Sequence, residues 1–240
     1  MAFTENNRFT KCIENLLQGK IICHALYPDL FRYLRETDEN GTLSNEDKVH
    51  YFLNQMGRNL MKTTDDMGYY CTYGDYDEPQ AKADGRAFIK KSVSEFEPLI
   101  KWLRLIRSCN QDSRPVCADD IIKPSEIIHS LEESEILCKQ LKEIANFFKV
   151  ASNTSDVSKM LQAVLKSLVK EEYFVDASGD GLIYRATAKW SLFYDLLEFV
   201  KENEGFGKDT SEKKEEHQTD LLSQVEMVEV ETPDFDNMQN

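Results

Sequence analysis

Apolar residues recur along this chain at two different spacings, and the places where one gives way to the other predict its elements. Over residues 8–25, RFTKCIENLLQGKIICHA, Phe9, Ile13, Leu16, Leu17 and Ile21 follow the i, i+4, i+7, i+8, i+12 spacing that one face of a helix requires. Tyr27-Pro28 breaks that run. Pro28 suits the first turn of a short following helix, PDLFRYLRET, where its missing N–H has no partner to lose. After the turn-rich DENGTLSNED, Ser44 opens an S-x-x-D cap for a third helix, NEDKVHYFLNQMGRNLMKT, with Val49, Phe52, Leu53, Met56 and Leu60 on one face. A period of two takes over near Leu60–Thr63 and in the aromatic run Tyr69–Tyr73, with Asp66-Met67-Gly68 as the turn between two strands.

Residues 75–87 are polar and read as a linker. A strong helical pattern then carries Ile89, Val93, Phe96, Ile100, Leu103 and Ile106. Ser94-x-x-Glu97 predicts that the main helix begins there, with Pro98 in its first turn. Beyond the loop NQDSRPVC the layout repeats. ADDIIKPSEIIHSL predicts a short strand and a helix entered at Pro124, followed by a helix over EILCKQLKEIANFF. SNTSDVSKMLQAVLKSLVKEE predicts another, capped near Ser155. Two β-like runs, YFVDA and GLIYRAT, are joined by SGD, and a final helix covers KWSLFYDLLEFVKENEG.

Helices followed by a hairpin, twice over, is the order of a pair of winged-helix domains. The expected fold class is mainly α with small β-hairpins (α+β). The expected boundaries are 1–78 for the first winged-helix domain, 79–206 for the linker and second domain with its closing helix, and 207–240 for an acidic disordered tail. The tail contains the apolar clusters DLLSQVEMVEV and PDF.

Charge changes the functional picture. The 240 residues carry a formal −14, yet Gly207–Asn240 alone holds three Lys against ten Asp and Glu, half of the imbalance. A body gripping nucleic acid through a broad basic field is therefore not expected. Local patches remain: Lys159, Lys166 and Lys170 on the penultimate helix, with Arg185 and Lys189 around the second hairpin, are candidate contacts to a DNA backbone. Asp156, Glu171, Glu172, Asp176 and Asp180 oppose them. Lys90-Lys91 and the face Lys101, Arg104, Arg107 fit a solvated helix side.

No P-loop, GxGxxG, HExxH or GxSxG is present. The six cysteines form no CxxC pair, and buried free thiols are expected, with Cys109 and Cys117 the nearest candidates for a bond. His24 and His129 sit within helical patterns. SGDG lacks the regular oxygens of a Ca²⁺ loop and reads as a hairpin turn. No catalytic residue, metal or cofactor is assigned. Neither a membrane span nor a secretory leader is read, so a cytoplasmic protein is expected. Tyr69, Tyr70 and Tyr73 in the first hairpin, and Tyr173, Phe174 and Tyr184 in the second, are the expected anchors for a protein partner, unless alternate members fill the core beneath.

The stretches ICHALYPDLFRYLRE, HYFLNQMGRNL leading to GYYCTY, SVSEFEPLIKWLRLI and SLVKEEYFVDASGDGLIYRATAKWSLF, taken in order over residues 8–200, resemble the MukE/MksE family. These are tandem winged-helix accessory subunits of bacterial condensin-like SMC complexes. The resemblance implies a non-enzymatic, nucleoid-associated homodimer that binds a kleisin subunit. The SMC ATPase of the same assembly would hydrolyse ATP, and DNA would be met mainly within the complex. It also implies a role in chromosome organisation and segregation or in plasmid restriction of the Wadjet type. A stand-alone tandem winged-helix transcriptional regulator that binds DNA is the competing expectation, and a hydrolase or transferase of unfamiliar type a distant third.

Overall fold

In a computed structural model, the described residues are 2–37, 43–109, 114–150 and 156–202, with side chains from residue 7 onward. They form a mainly helical α+β protein with two small antiparallel sheets of three strands each. The first half runs α1 (Ala2–Leu17), β1 (Ile22–Cys23), α2 (Pro28–Arg35), α3 (Asn45–Gln55), β2 (Arg58–Lys62) and β3 (Gly68–Tyr73). The second runs α4 (Pro79–Cys109), β4 (Ile121–Ile122), α5 (Pro124–Glu132), α6 (Glu135–Phe147), α7 (Val157–Lys170), β5 (Phe174–Asp176), β6 (Tyr184–Ala186) and α8 (Lys189–Glu202). In both, the last strand lies in the middle: the sheet orders are β1-β3-β2 and β4-β6-β5. The acidic stretch 207–240 and Ser155 lie outside the described residues, as do residues 110–113 of the loop after α4.

Local chemistry explains most boundaries. The Ser44 hydroxyl accepts the Asp47 N–H at 3.0 Å while the Asp47 carboxylate accepts the Ser44 N–H at 3.4 Å, a complete capping box for α3. Pro28 and Pro124 occupy the first turns of α2 and α5. Asp156 caps α7 by accepting the N–H groups of Ser158 and Lys159 at 3.0 and 3.2 Å.

Three expectations are corrected. The first helix stops at Leu17 instead of running to residue 25. Gly19 takes φ +75°, its N–H and that of Lys20 turn back to the carbonyls of Leu16 and Asn15, and the chain leaves as an extended segment. The run Ile21-Ile22-Cys23 is buried whole, which suits a strand as well as a helix, and it pairs with Gly68–Tyr69 of β3. Similarly, α3 ends at Gln55 and Gly57 (φ +67°) leads into β2. The third correction is the largest. Residues 79–87 are not a linker but the first turns of α4, a 31-residue helix with Pro98 in its interior. Their polar side chains bond one another along the helix, Gln80 to Asp84 at 2.9 Å, while Lys82 meets Asp77 at 3.0 Å and Ala81 is buried. Ser94 caps nothing: its hydroxyl donates to the Lys91 carbonyl at 2.6 Å.

Each half has its own apolar core. In the first, Leu16, Ile22, Leu34, Val49 and Leu53 are almost wholly buried. In the second, Trp102, Trp190 and Phe174 lead a larger cluster drawn from α4 through α8. A small third cluster, built on Ile21, Cys23 and Ala188 with Met67, Ala118 and Leu192 against it, joins the two. The six cysteines are free; Cys12 and Cys23 are buried as expected, whereas Cys117 is exposed. Among the described residues no helix is long and apolar enough to cross a membrane.

Candidate functional site

Strand alternation sorts the aromatics of the first hairpin. Tyr69 turns inward and is buried; its ring meets Phe31 edge-on at 5.9 Å, and its hydroxyl donates to Glu46 at 3.1 Å. Burial, followed by the Glu46 charge, pushes its phenol up. Tyr70 faces the other way and is half-buried, its phenol also raised by burial. Tyr73 lies under the Arg58 guanidinium, 3.5 Å from the ring centroid, and its hydroxyl donates to Asp84 on α4.

The second hairpin has turned its aromatics inward altogether. Tyr173 packs on Trp190 at 4.6 Å between centroids. Phe174 sits between Trp102 and Trp190, and Tyr184 is 2% exposed. Tyr69, Tyr173, Phe174 and Tyr184 are thus core side chains, which corrects their expectation as partner anchors. Tyr70 and Tyr73 alone keep exposed surface. The cause is position: Tyr173 and Phe174 lie where the chain leaves α7 for β5, directly over the core, and not at the hairpin tip. The tip carries Leu182 and Ile183 instead, exposed to 65% and 37%. The Asp176 carboxylate holds it by accepting the N–H groups of Ser178 and Gly179 at 3.2 and 2.8 Å.

Two of the five candidate DNA-contacting cations are committed elsewhere. Lys189 donates to the Glu171 carbonyl at the end of α7 and covers the Tyr173 ring at 4.5 Å. Burial lowers its pKa, against the opposing pull of Glu171 and Glu95. Arg185 stands 3.7 Å from Asp119. Lys159, Lys166 and Lys170 are exposed and, being seven and eleven residues apart from the first, share one face of α7 with Gln162 between them. Lys159 has Asp156 at 3.5 Å. Of the other basic face, Lys101 contacts Glu97 at 3.2 Å and Glu143 at 3.4 Å.

The corresponding helix of the first half presents a different surface. α3 exposes Tyr51 to 67% and Phe52 to 38%, and its C-cap Met56 is exposed to 49%. Phe52 and Met56 are four residues apart on one side, and Phe52 meets Phe9 of α1 edge-on at 5.5 Å. The same place in the two halves is therefore apolar in one and lysine-rich in the other.

Sequence reasoning missed the seam between the halves. The Asp65 carboxylate, in the turn of the first hairpin, accepts the Ser191 hydroxyl of α8 at 2.6 Å, and Asp195 accepts the Thr64 N–H at 3.1 Å. His24, just after β1, meets Asp119 at 3.1 Å, so Asp119 lies between His24 and Arg185. Gly68 makes the approach possible: a Cβ there would stand 2.7 Å from the Ala188 Cβ. Beside the seam, Thr64, Asp65, Ser191, Tyr194, Asp195 and Glu198 line an open cleft of about 360 Å³. No group of three or more His, Cys, Asp or Glu side chains among the described residues is placed to hold a metal.

Searches against protein-family models, curated proteins and solved structures found no match to this chain.

Proposed function

We propose that the chain is a non-catalytic interaction subunit built from two winged-helix units, and that its partner is the kleisin of an SMC complex. The observation that carries this reading is the repetition: helix, strand, helices and hairpin occur twice, with the last strand central each time. A winged-helix unit has that order, and the resemblance to the MukE/MksE family spans the same elements. The exposed Tyr51 and Phe52 of α3, with Met56 at its C-cap, support a protein-facing role for the first unit, since apolar and aromatic anchors of this kind concentrate binding energy. Tyr70 and Tyr73, half-buried on β3, belong to the same unit. Homodimerisation, a nucleoid-associated cytoplasmic location and a part in chromosome organisation or plasmid restriction belong to the same proposal.

The test is purification of the tagged protein from its native cells under gentle salt, with mass spectrometry of what remains bound. A large coiled-coil ATPase and a kleisin-like protein are expected. Tyr51→Ala with Phe52→Ala should release the kleisin while the protein stays folded. Retention of neither protein by the unmutated chain overturns the proposal.

The lysine face of α7 favours a second reading, direct DNA binding by the isolated chain as a regulator. Saturable, sequence-dependent binding near physiological salt would establish it. Weak binding that collapses with salt fits backbone contact within a complex.

A further inference from the structure

Continuity of α4 brings onto one side charges that stand far apart in the sequence. At about 100° and 1.5 Å per residue, Lys82, Arg86, Lys90, Lys101 and Arg104 fall within an arc of about 100°, over about 33 Å of the helix. Lys82, Arg86 and Lys90 are exposed, and Lys101 and Arg104 are half-buried. Glu97 is the one acid of α4 on that side. Asp84 and Glu95 lie across the helix, as does its exposed aromatic, Phe88. Were residues 79–87 a coil, Lys82 and Arg86 would have no fixed side. The whole chain carries a formal −14, yet α4 holds seven Lys and Arg against three Asp and Glu.

We propose that this side of α4 is a contact surface for the phosphate backbone of double-stranded DNA. Its length is close to one turn of the duplex, about 34 Å. It presents cations without an exposed apolar anchor, which suits phosphate contact and not a protein interface. No aromatic ring of α4 stands on that side for the bases of a single strand to stack on. Lys82 meets Asp77 at 3.0 Å, and Lys101 meets Glu97 at 3.2 Å and Glu143 at 3.4 Å. Solvent-facing pairs of this kind are weakly held and give way to a phosphate. Arg86 and Lys90 make no ion pair among the described residues. The inference rests on the DNA binding considered above for α7 and adds a second, sequence-independent surface to it.

Fluorescence anisotropy of the full chain with a labelled duplex of about 20 base pairs, repeated over a range of salt, tests it. Arg86→Gln with Lys90→Gln should reduce the slope of log K against log salt by about 1.8, or about 0.9 for each cation removed. Glutamine is as good a helix former as either residue, so α4 is kept. Arg86→Lys with Lys90→Arg should keep the wild-type slope, and duplexes of unrelated sequence should give the same slope as one another. A slope unchanged by the glutamine pair but reduced by Lys166→Gln with Lys170→Gln confines the contact to α7 and overturns this inference alone. An equal fall in the charge-preserving pair assigns the effect to side-chain packing instead of charge and overturns it too. Absence of binding by the wild type at the lowest salt overturns it together with the α7 contact.

Discussion

Gly68→Ala tests the seam most directly. The added Cβ would lie 2.7 Å from the Ala188 Cβ and 2.8 Å from Ile21 Cδ1. Carbon atoms settle about 3.5–4.0 Å apart, so both contacts fall deep in the repulsive wall. Ile21 Cδ1 is the end of a flexible side chain and can swing aside. Ala188 is attached directly to backbone that enters α8 and is 1% exposed, so relief there requires the halves to part. Overpacking of this kind costs about 1–3 kcal/mol. For a protein of this size, 2 kcal/mol corresponds to a fall in melting temperature of roughly 4–8 °C. Urea unfolding of Gly68→Ala, Ala188→Gly and the double variant separates the seam from a local effect on β3. If the two Cβ positions compete for one space, Ala188→Gly recovers at least about 1 kcal/mol of the Gly68→Ala loss, a coupling outside the range of independent sites. Additive losses, or a neutral Gly68→Ala, would refute the contact between the halves.

Ser44→Ala removes half of the capping box of α3 and should destabilise the protein by about 1 kcal/mol, read as a melting temperature lower by roughly 2–4 °C. Burial raises the phenols of Tyr69, Tyr173 and Tyr194, so in the unfolded chain they lose protons near pH 10 while the folded protein keeps them. The unfolded state then binds fewer protons, and stability should fall above pH 10 by about 1.4 kcal/mol per pH unit for each tyrosine. Ionisation of Tyr69, Tyr173 or Tyr194 itself ahead of unfolding at high pH, followed through the ring NMR shifts of each, would contradict this. Lys166→Gln with Lys170→Gln should lower weak DNA affinity and reduce the slope of log K against log salt by up to about 1.8 in fluorescence anisotropy. An unchanged slope removes α7 from the contact.

Features set by a few adjacent residues were legible in the chain. Pro28 and Pro124 mark the starts of α2 and α5, Ser44 and Asp47 cap α3, and the alternating runs at 69–73 and 173–176 become strands. Features set by distant partners were not. The run Ile21-Ile22-Cys23 is apolar throughout, so its period extends the helical pattern to residue 25 although β3 pairs with it as a strand. The start of α4 is polar because little covers it, and composition without an apolar stripe resembles a linker. In the candidate site, alternation separates Tyr69 from Tyr70, yet it does not say that Tyr173 and Phe174 lie over the two tryptophans. The seam joins residues 95 to 131 positions apart, His24 to Asp119, Asp65 to Ser191 and Thr64 to Asp195, which no local pattern can register.

Continuity of α4 from Pro79 to Cys109 also limits how the chain tolerates added or lost residues at the junction of its halves. In a coil, one extra residue would only lengthen the path. In a helix, each residue turns everything beyond it by about 100° and advances it about 1.5 Å. A single insertion near Gly85 would point Trp102 and Leu105 away from their pocket, or twist the second half off Gly68 and Asp65. Seven residues would restore the angle to within about 20° but displace one half by about 10 Å. The junction therefore behaves as a screw of fixed pitch, and changes in its length are tolerable only where rotation and advance can both be absorbed.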